Sequence, residues 1–200
     1  PPGTKATPKT NGYCGKLRSY ANGGISFVAY DGGYKPGEQP RGRRPRRQQL
    51  SAVFTRARST RSPMQLKALL PAENAPSVDD SPLYNPDLMG ALVELEAAEV
   101  ATPDAPRPSE PTFTNLLELS PPRWNDEGNM YQLAFDGRAC CMSNKNVQLM
   151  CPSRPSEPVL QVGKLRKNLF NVDICGYISV FQAFALSLAV FDQSSVRRRL

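Results

Sequence analysis

Eighteen consecutive residues, 174–191, carry no charge, and residues 178–191 are apolar nearly all the way round a helix. A helix of that kind has no face to offer water and is expected to be buried on every side. Two surroundings can do this. A bilayer is one, and Val196-Arg197-Arg198-Arg199 would suit a tail anchor. Yet eighteen residues stand at the short limit for a span, and Gly176, Ser179, Gln182 and Ser187 dilute the run. The inside of a closed β-barrel is the other. Ala183, Ala185 and Ala189, set between Phe181, Phe184 and Phe191, would let surrounding sheet approach closely. A core helix is therefore expected, and no transmembrane span.

The strands for such a barrel are legible upstream. Residues 25–30 form a β-branched and aromatic run closed by Asp31-Gly32-Gly33, and residues 50–55 and 64–70 follow, the latter closed by Pro71. Further candidates are residues 113–119, 146–150, 159–163 and 169–173. Tyr131, Leu133 and Phe135 alternate with polar or small residues before a turn at Asp136-Gly137. Their close spacing predicts an antiparallel system rather than strands alternating with helices. Residues 1–12 read as a flexible lead and 193–200 as a basic tail. The opening Pro1-Pro2, with no initiator Met, suggests a piece of a longer protein.

Between strands lies a Pro-rich acidic insertion at about 71–111; ten prolines fall between Pro71 and Pro122. Inside it, Asn85-Pro86-Asp87 reads as a helix start, with Asn85 capping and Pro86 in the first helical position. Leu88, Leu92 and Leu95 then share one face to about Val100, predicting a short amphipathic helix on the domain surface.

Charge is distributed in blocks. Residues 1–67 hold 14 Lys/Arg against 2 Asp/Glu, residues 68–130 hold 2 against 12, and residues 131–200 hold 9 against 4. A basic front is a place for a polyanion to bind, and the acidic middle is an internal competitor for it. The densest basic stretch contains Arg41, Arg43, Arg44, Arg46 and Arg47, with Arg56, Arg58 and Arg61 beyond. It reads as a solvated loop, a nuclear-import patch or a nucleic-acid contact. Only Phe54 interrupts residues 41–61 as a stacking platform, which argues against reading of bases.

The chain has no histidine, which removes Ser-His-Asp and Cys-His nucleophile pairs and His-based zinc motifs. The five cysteines (14, 140, 141, 151 and 175) contain no Cys-x-x-Cys pair and read as reduced intracellular thiols. Cys140 and Cys141 are expected on a strand, one pointing in and one out, and Cys175 at the mouth of the helix. No metal or other cofactor is expected.

Several stations of the sequence then coincide with one family. Residues 176–192 (GYISVFQAFALSLAVFD) resemble the carboxy-terminal signature of tubby-like proteins. Residues 171–173 (NVD), 159–164 (VLQVGK), 145–149 (KNVQL), 122–126 (PRWND) and 133–138 (LAFDGR) resemble further strands of that family in the right order. Earlier, 15–19 (GKLRS), 27–31 (FVAYD) and 47–53 (RQQLSAV) do the same. Nothing resembles the family strands that precede Gly-Lys-Leu-Arg, so residues 13–192 look like a tubby domain lacking its N-terminal strands. The divergence is most like the branch of tubby-related proteins whose full chains add WD40 repeats and a SOCS box.

The resemblance implies a mainly β fold, a partial antiparallel tubby β-barrel around a central hydrophobic C-terminal helix, and no enzymatic activity. It implies a module that binds phosphatidylinositol 4,5-bisphosphate and docks a larger protein at the plasma membrane from the cytoplasm, with a link to cilia. The headgroup residues carried over are Lys16, Arg18 and Arg47. On a strand, positions 16 and 18 share a face, setting an ammonium beside a guanidinium, and Arg47 at the start of a neighbouring strand could close a triangle around phosphates. Arg41, Arg43, Arg44 and Arg46 would add auxiliary attraction to anionic lipid. The alternatives are a substrate-recognition adaptor of a cullin-type ubiquitin ligase, and nucleic-acid or transcription-related binding, with a nuclear location, through the Arg-rich loop.

Overall fold

Among the described residues, alternation of apolar side chains within 15–71 and 114–174 produces ten strands, with one helix between the fourth and fifth and another after the last. In chain order these are β1 (Gly15–Ala21), β2 (Ile25–Asp31), β3 (Gln49–Arg56), β4 (Gln65–Pro71), α1 (Leu88–Ala101), β5 (Thr114–Leu119), β6 (Arg123–Asn125), β7 (Met130–Gln132), β8 (Val147–Met150), β9 (Leu160–Arg166), β10 (Leu169–Ile174) and α2 (Val180–Val196). The structure is a computed structural model and describes residues 13–21, 25–35, 38, 45–56, 65–72, 75, 86–101, 114–176 and 178–196. The lead 1–12 and Arg41, Arg43 and Arg44 lie outside the described residues.

Eight strands make one sheet in the order β1-β2-β3-β4-β5-β8-β9-β10, antiparallel throughout, while β6 and β7 form a separate hairpin. The chain is mainly β, and the sheet is a curled half-barrel. Helix α2 touches β2 and β3 toward one end of the strand order and β10 at the other, so the sheet wraps around it. Ser179 caps α2: Gln182 N donates to Ser179 Oγ (3.2 Å), and Ser179 N donates to Gln182 Oε1 (2.8 Å). This reciprocal box satisfies helix donors where the uncharged run turns helical. Gln182 Nε2 also donates to the Leu50 carbonyl (2.8 Å), fixing the helix start to β3.

The period-2 alternation of the strands sorts the apolar residues into two cores. Phe27, Val53, Leu66, Ala68, Leu70 and Leu117 face α2 and pack with Ala183, Leu186, Ala189 and Val190. Ala52, Phe54, Leu69 and Leu116 face the other way and pack beneath Leu88, Leu92 and Leu95 of α1. The insertion helix thus covers the outer face of β3, β4 and β5. Its acidic side is also tied down, because Lys67 Nζ donates to Glu99 and lies 2.7 Å from Glu96 and 3.9 Å from Glu118.

Four expectations change. Helix α2 is not buried on every side: Val180, Phe184 and Leu188 are 77%, 59% and 37% exposed. At spacings of four they form one stripe, left open because an eight-stranded open sheet covers only part of the helix circumference. Residues 133–135 are not a strand. The Ala134 carbonyl instead accepts from Gln148 Nε2 (2.7 Å), so a side chain takes the place of a ladder partner. The turn at Asp136-Gly137 is present, with φ of 46° and 77° and a bond from Arg138 N to the Phe135 carbonyl (2.7 Å). Cys140 and Cys141 sit in a loop, where both amides donate to the Lys164 carbonyl (2.9 and 3.0 Å), whereas Cys175 packs at the start of the α2 segment as expected. Finally, α1 begins after Pro86, not at it: Gly90 N donates to Asp87 Oδ1 (3.1 Å), so Asp87 caps a helix whose first residue is Leu88. Asn85 itself lies outside the described residues.

Candidate functional site

The register of β1 against β2 places Lys16 opposite Tyr30 and Arg18 opposite Val28, while Leu17 between them packs into the α2 core. Lys16 and Arg18 therefore project from the outer face, the one α1 also occupies. The Lys16 ammonium stands 5.9 Å from the centroid of the Tyr30 ring.

A third cation arrives through the connection between β2 and β3. Asp31 Oδ1 accepts from Gly33 N (2.9 Å) and Gln48 N (3.1 Å), and Asp31 N donates to the Gln48 carbonyl (3.2 Å). Tyr34 and Arg46 form a parallel bridge, with Arg47 N donating to the Tyr34 carbonyl (2.9 Å). One carboxylate and three backbone bonds thus hold residues 31–34 against 45–48. Arg47 is drawn into the fold, only 8% exposed, while Arg46 stays exposed.

These pieces meet. Lys16, Arg18, Arg46 and Arg47 line one hollow of about 500 Å³, together with Lys35. Tyr30 and Gln49 supply polar surface, and Pro86 and Asp87, from the start of α1, form a further wall. Burial, and then the charges of Arg47, Arg18 and Lys35, hold the Lys16 ammonium below the ordinary lysine value of 10.5. A lysine destabilised by neighbouring cations is one that an anion would relieve. Burial, followed by the hydrogen bond with the Tyr20 hydroxyl (3.0 Å), pushes Tyr30 up to about 12, so its hydroxyl stays neutral. Lys35 is partly balanced by Glu38 at 3.5 Å.

A larger hollow of about 640 Å³ lies around β6, β8, β9 and β10, but it mixes Arg123 with Asp136, Glu157 and Asp173 and does not concentrate one charge. Among the described residues, no group of His, Cys, Asp or Glu is placed to hold a metal ion, and no helix is long and apolar enough to cross a membrane.

The structure brings together Lys16, Arg18, Arg47 and the auxiliary Arg46. Lys35, Tyr30, Gln49 and Asp87 were not singled out as site residues by sequence reading. Lys35 follows a Gly-Gly turn with no periodicity to orient it. Asp87 reads locally as a helix-start residue, and only the docking of α1 across the sheet delivers it to the hollow.

The Tub family model matches residues 3–193. The chain belongs to the Tub family. Among tubby relatives, it is 29% identical over 195 residues to Tubby protein homolog 1 of Caenorhabditis briggsae, covering 94% of this chain and 43% of the relative. It is 32% identical over 190 residues to human Tubby-related protein 1, covering 90% and 32%, and 31% identical over 192 residues to Protein king tubby 2 of Aedes aegypti, covering 94% and 42%. This tubby chain thus spans less than half the length of these relatives.

Proposed function

We propose that this tubby domain is a non-enzymatic module that binds a phosphoinositide headgroup, phosphatidylinositol 4,5-bisphosphate, and so docks a larger protein at the cytoplasmic face of the plasma membrane. The observation that carries this reading is the convergence of Lys16, Arg18, Lys35, Arg46 and Arg47 on one hollow of about 500 Å³. Arginine offers planar, bidentate donors to phosphate oxygens and lysine a compact charge, and the two together suit clustered phosphates on one ring. Arg47 is largely withdrawn from water and positioned by the Asp31 clamp, which sets its charge in the wall of the hollow rather than on a freely solvated face. The hollow also gathers its cations at one place from β1 and the β2–β3 connection, whereas nonspecific attraction to nucleic acid needs only an exposed basic stripe.

The test is release from vesicles. Protein bound to vesicles containing phosphatidylinositol 4,5-bisphosphate should be displaced by soluble glycerophosphoinositol 4,5-bisphosphate, the matching headgroup with its 1-phosphate a diester, at concentrations where inorganic phosphate has no effect. Equal displacement by matched ionic strength alone would contradict the reading and favour a nonspecific basic surface or the adaptor role.

A further inference from the structure

The five cations of the hollow share it with a carboxylate. Asp87 is exposed, but it is not a free surface acid: its Oδ1 accepts from Gly90 N (3.1 Å) and from Gln49 Nε2 (2.9 Å). Gln49 is itself fixed, because its Oε1 accepts from Met89 N (3.0 Å). The side-chain amide of Gln49 thus bridges β3 to the first turn of α1 and sets the carboxylate at a fixed place on the wall. The spacing is tight. A β-carbon on Gly90 would come within 2.6 Å of Asp87 Oδ2, so the glycine at this position leaves room for the cap. The helix carrying this wall is anchored by Leu88 and Leu92, both fully buried, and by the clasp of Lys67 on Glu96 and Glu99.

We infer that Asp87 is a specificity-determining residue that matches the hollow to a ring bearing two phosphomonoesters and turns away a third. This deepens the headgroup reading and rests on it. The charge balance supports it: five cations against Asp87 leave +4, or +3 when Glu38 on Lys35 is included. Two phosphomonoesters bring roughly −3 to −4, which that excess neutralises. A third would bring about −1.5 to −2 more into a hollow whose described residues leave no cation over and set a carboxylate on its wall. A ring hydroxyl at that wall has the opposite fate, since a carboxylate has about four acceptor sites and the two bonds on Oδ1 leave acceptor capacity for an O–H donor. Attraction on one side and repulsion on the other is how a single residue creates discrimination.

Asp87→Asn isolates the charge. Asparagine caps a helix about as well as aspartate, and its Oδ1 can keep both existing bonds. Asp87→Ser, also a capping residue, is the second variant, and circular dichroism checks that α1 and the sheet persist in both. The 200-residue chain is titrated by calorimetry with soluble glycerophosphoinositol 4,5-bisphosphate and glycerophosphoinositol 3,4,5-trisphosphate, whose 1-phosphate is a diester as in the lipid, and by co-sedimentation with vesicles carrying the corresponding bis- and trisphosphorylated lipids. The soluble arm reads the hollow without a membrane, and the vesicle arm reads the lipid. The wild-type chain should prefer the headgroup with two ring monoesters beyond the diester position, and both variants should bind the more phosphorylated headgroup relatively better, by roughly fivefold in the ratio. Selective wild-type binding with an unchanged ratio in both variants would overturn the role of Asp87 and leave the headgroup reading intact. Wild-type binding that does not distinguish phosphoinositide from phosphatidylserine vesicles would overturn both.

Discussion

A β-carbon on Gly33 would lie 2.6 Å from both the amide nitrogen and the Cα of Arg47. The backbone of the turn after β2 is thus packed directly on the backbone of the residue that supplies the most buried cation of the hollow. Gly33→Ala must push Arg47 outward. The overpacking should cost about 1–3 kcal/mol of stability in denaturant unfolding. Headgroup affinity should fall several-fold in the folded variant, as measured by calorimetry.

Asp31 makes the complementary contribution by bonding rather than by fit. Asp31→Ala frees Gly33 N and Gln48 N, which now share its Oδ1. The expected loss is about 1–3 kcal/mol, with weaker headgroup binding and faster hydrogen exchange at the amides of Gly33 and Gln48. Unchanged exchange at these two amides would show that the clamp is not what holds the connection.

Much of this architecture is legible in the chain because it is written in short-range patterns. The strands 25–30, 50–55 and 64–70 read correctly within a residue or two because each alternates or is capped by a turn. The placement of Lys16 and Arg18 on one face follows from strand geometry alone. What escapes is long-range. Residues 133–135 alternate like a strand, yet Gln148, fifteen to thirteen residues away in the chain, satisfies Ala134 instead of a neighbouring strand. Asp87 is delivered to the hollow by Gln49, 38 residues earlier, and no local signal encodes that bond. The open stripe Val180, Phe184, Leu188 likewise depends on how many strands surround the helix, which its own apolar composition does not state.

Lys67 provides a stability test outside the hollow. Burial of its ammonium is outweighed by the bonded carboxylates of Glu96 and Glu99, which raise it above 10.5. Lys67→Met should destabilise by about 2–3 kcal/mol, because it leaves three clustered carboxylates without their common cation. The sign with pH follows from the raised value: the lysine's contribution is complete below 10.5 and is lost as pH rises through the folded-state value. The difference between wild type and Lys67→Met should therefore narrow only in strongly alkaline solution, as read by denaturant unfolding against pH.

Lys16 behaves in the opposite sense. Its folded value lies below 10.5, so the unfolded chain holds the proton more tightly. Burial, and then the neighbouring cations, oppose folding while Lys16 is charged, and stability gains as pH rises through the depressed value toward 10.5. A bound phosphate restores the proton's affinity. Headgroup binding just below pH 10.5 should consequently take up protons, seen as a dependence of calorimetric heat on buffer ionisation enthalpy, and Lys16→Ala should abolish that uptake.

The most direct measurement of the central claim is co-sedimentation of the chain with vesicles containing phosphatidylinositol 4,5-bisphosphate and with phosphatidylserine vesicles matched for surface charge. The Lys16→Ala/Arg18→Ala double variant is run beside the wild type, with circular dichroism on both. Selective pelleting of the wild type with the phosphoinositide, reduced at least tenfold in the folded double variant, is the predicted result. Equal pelleting with both vesicles, unchanged by the double substitution, would contradict the account.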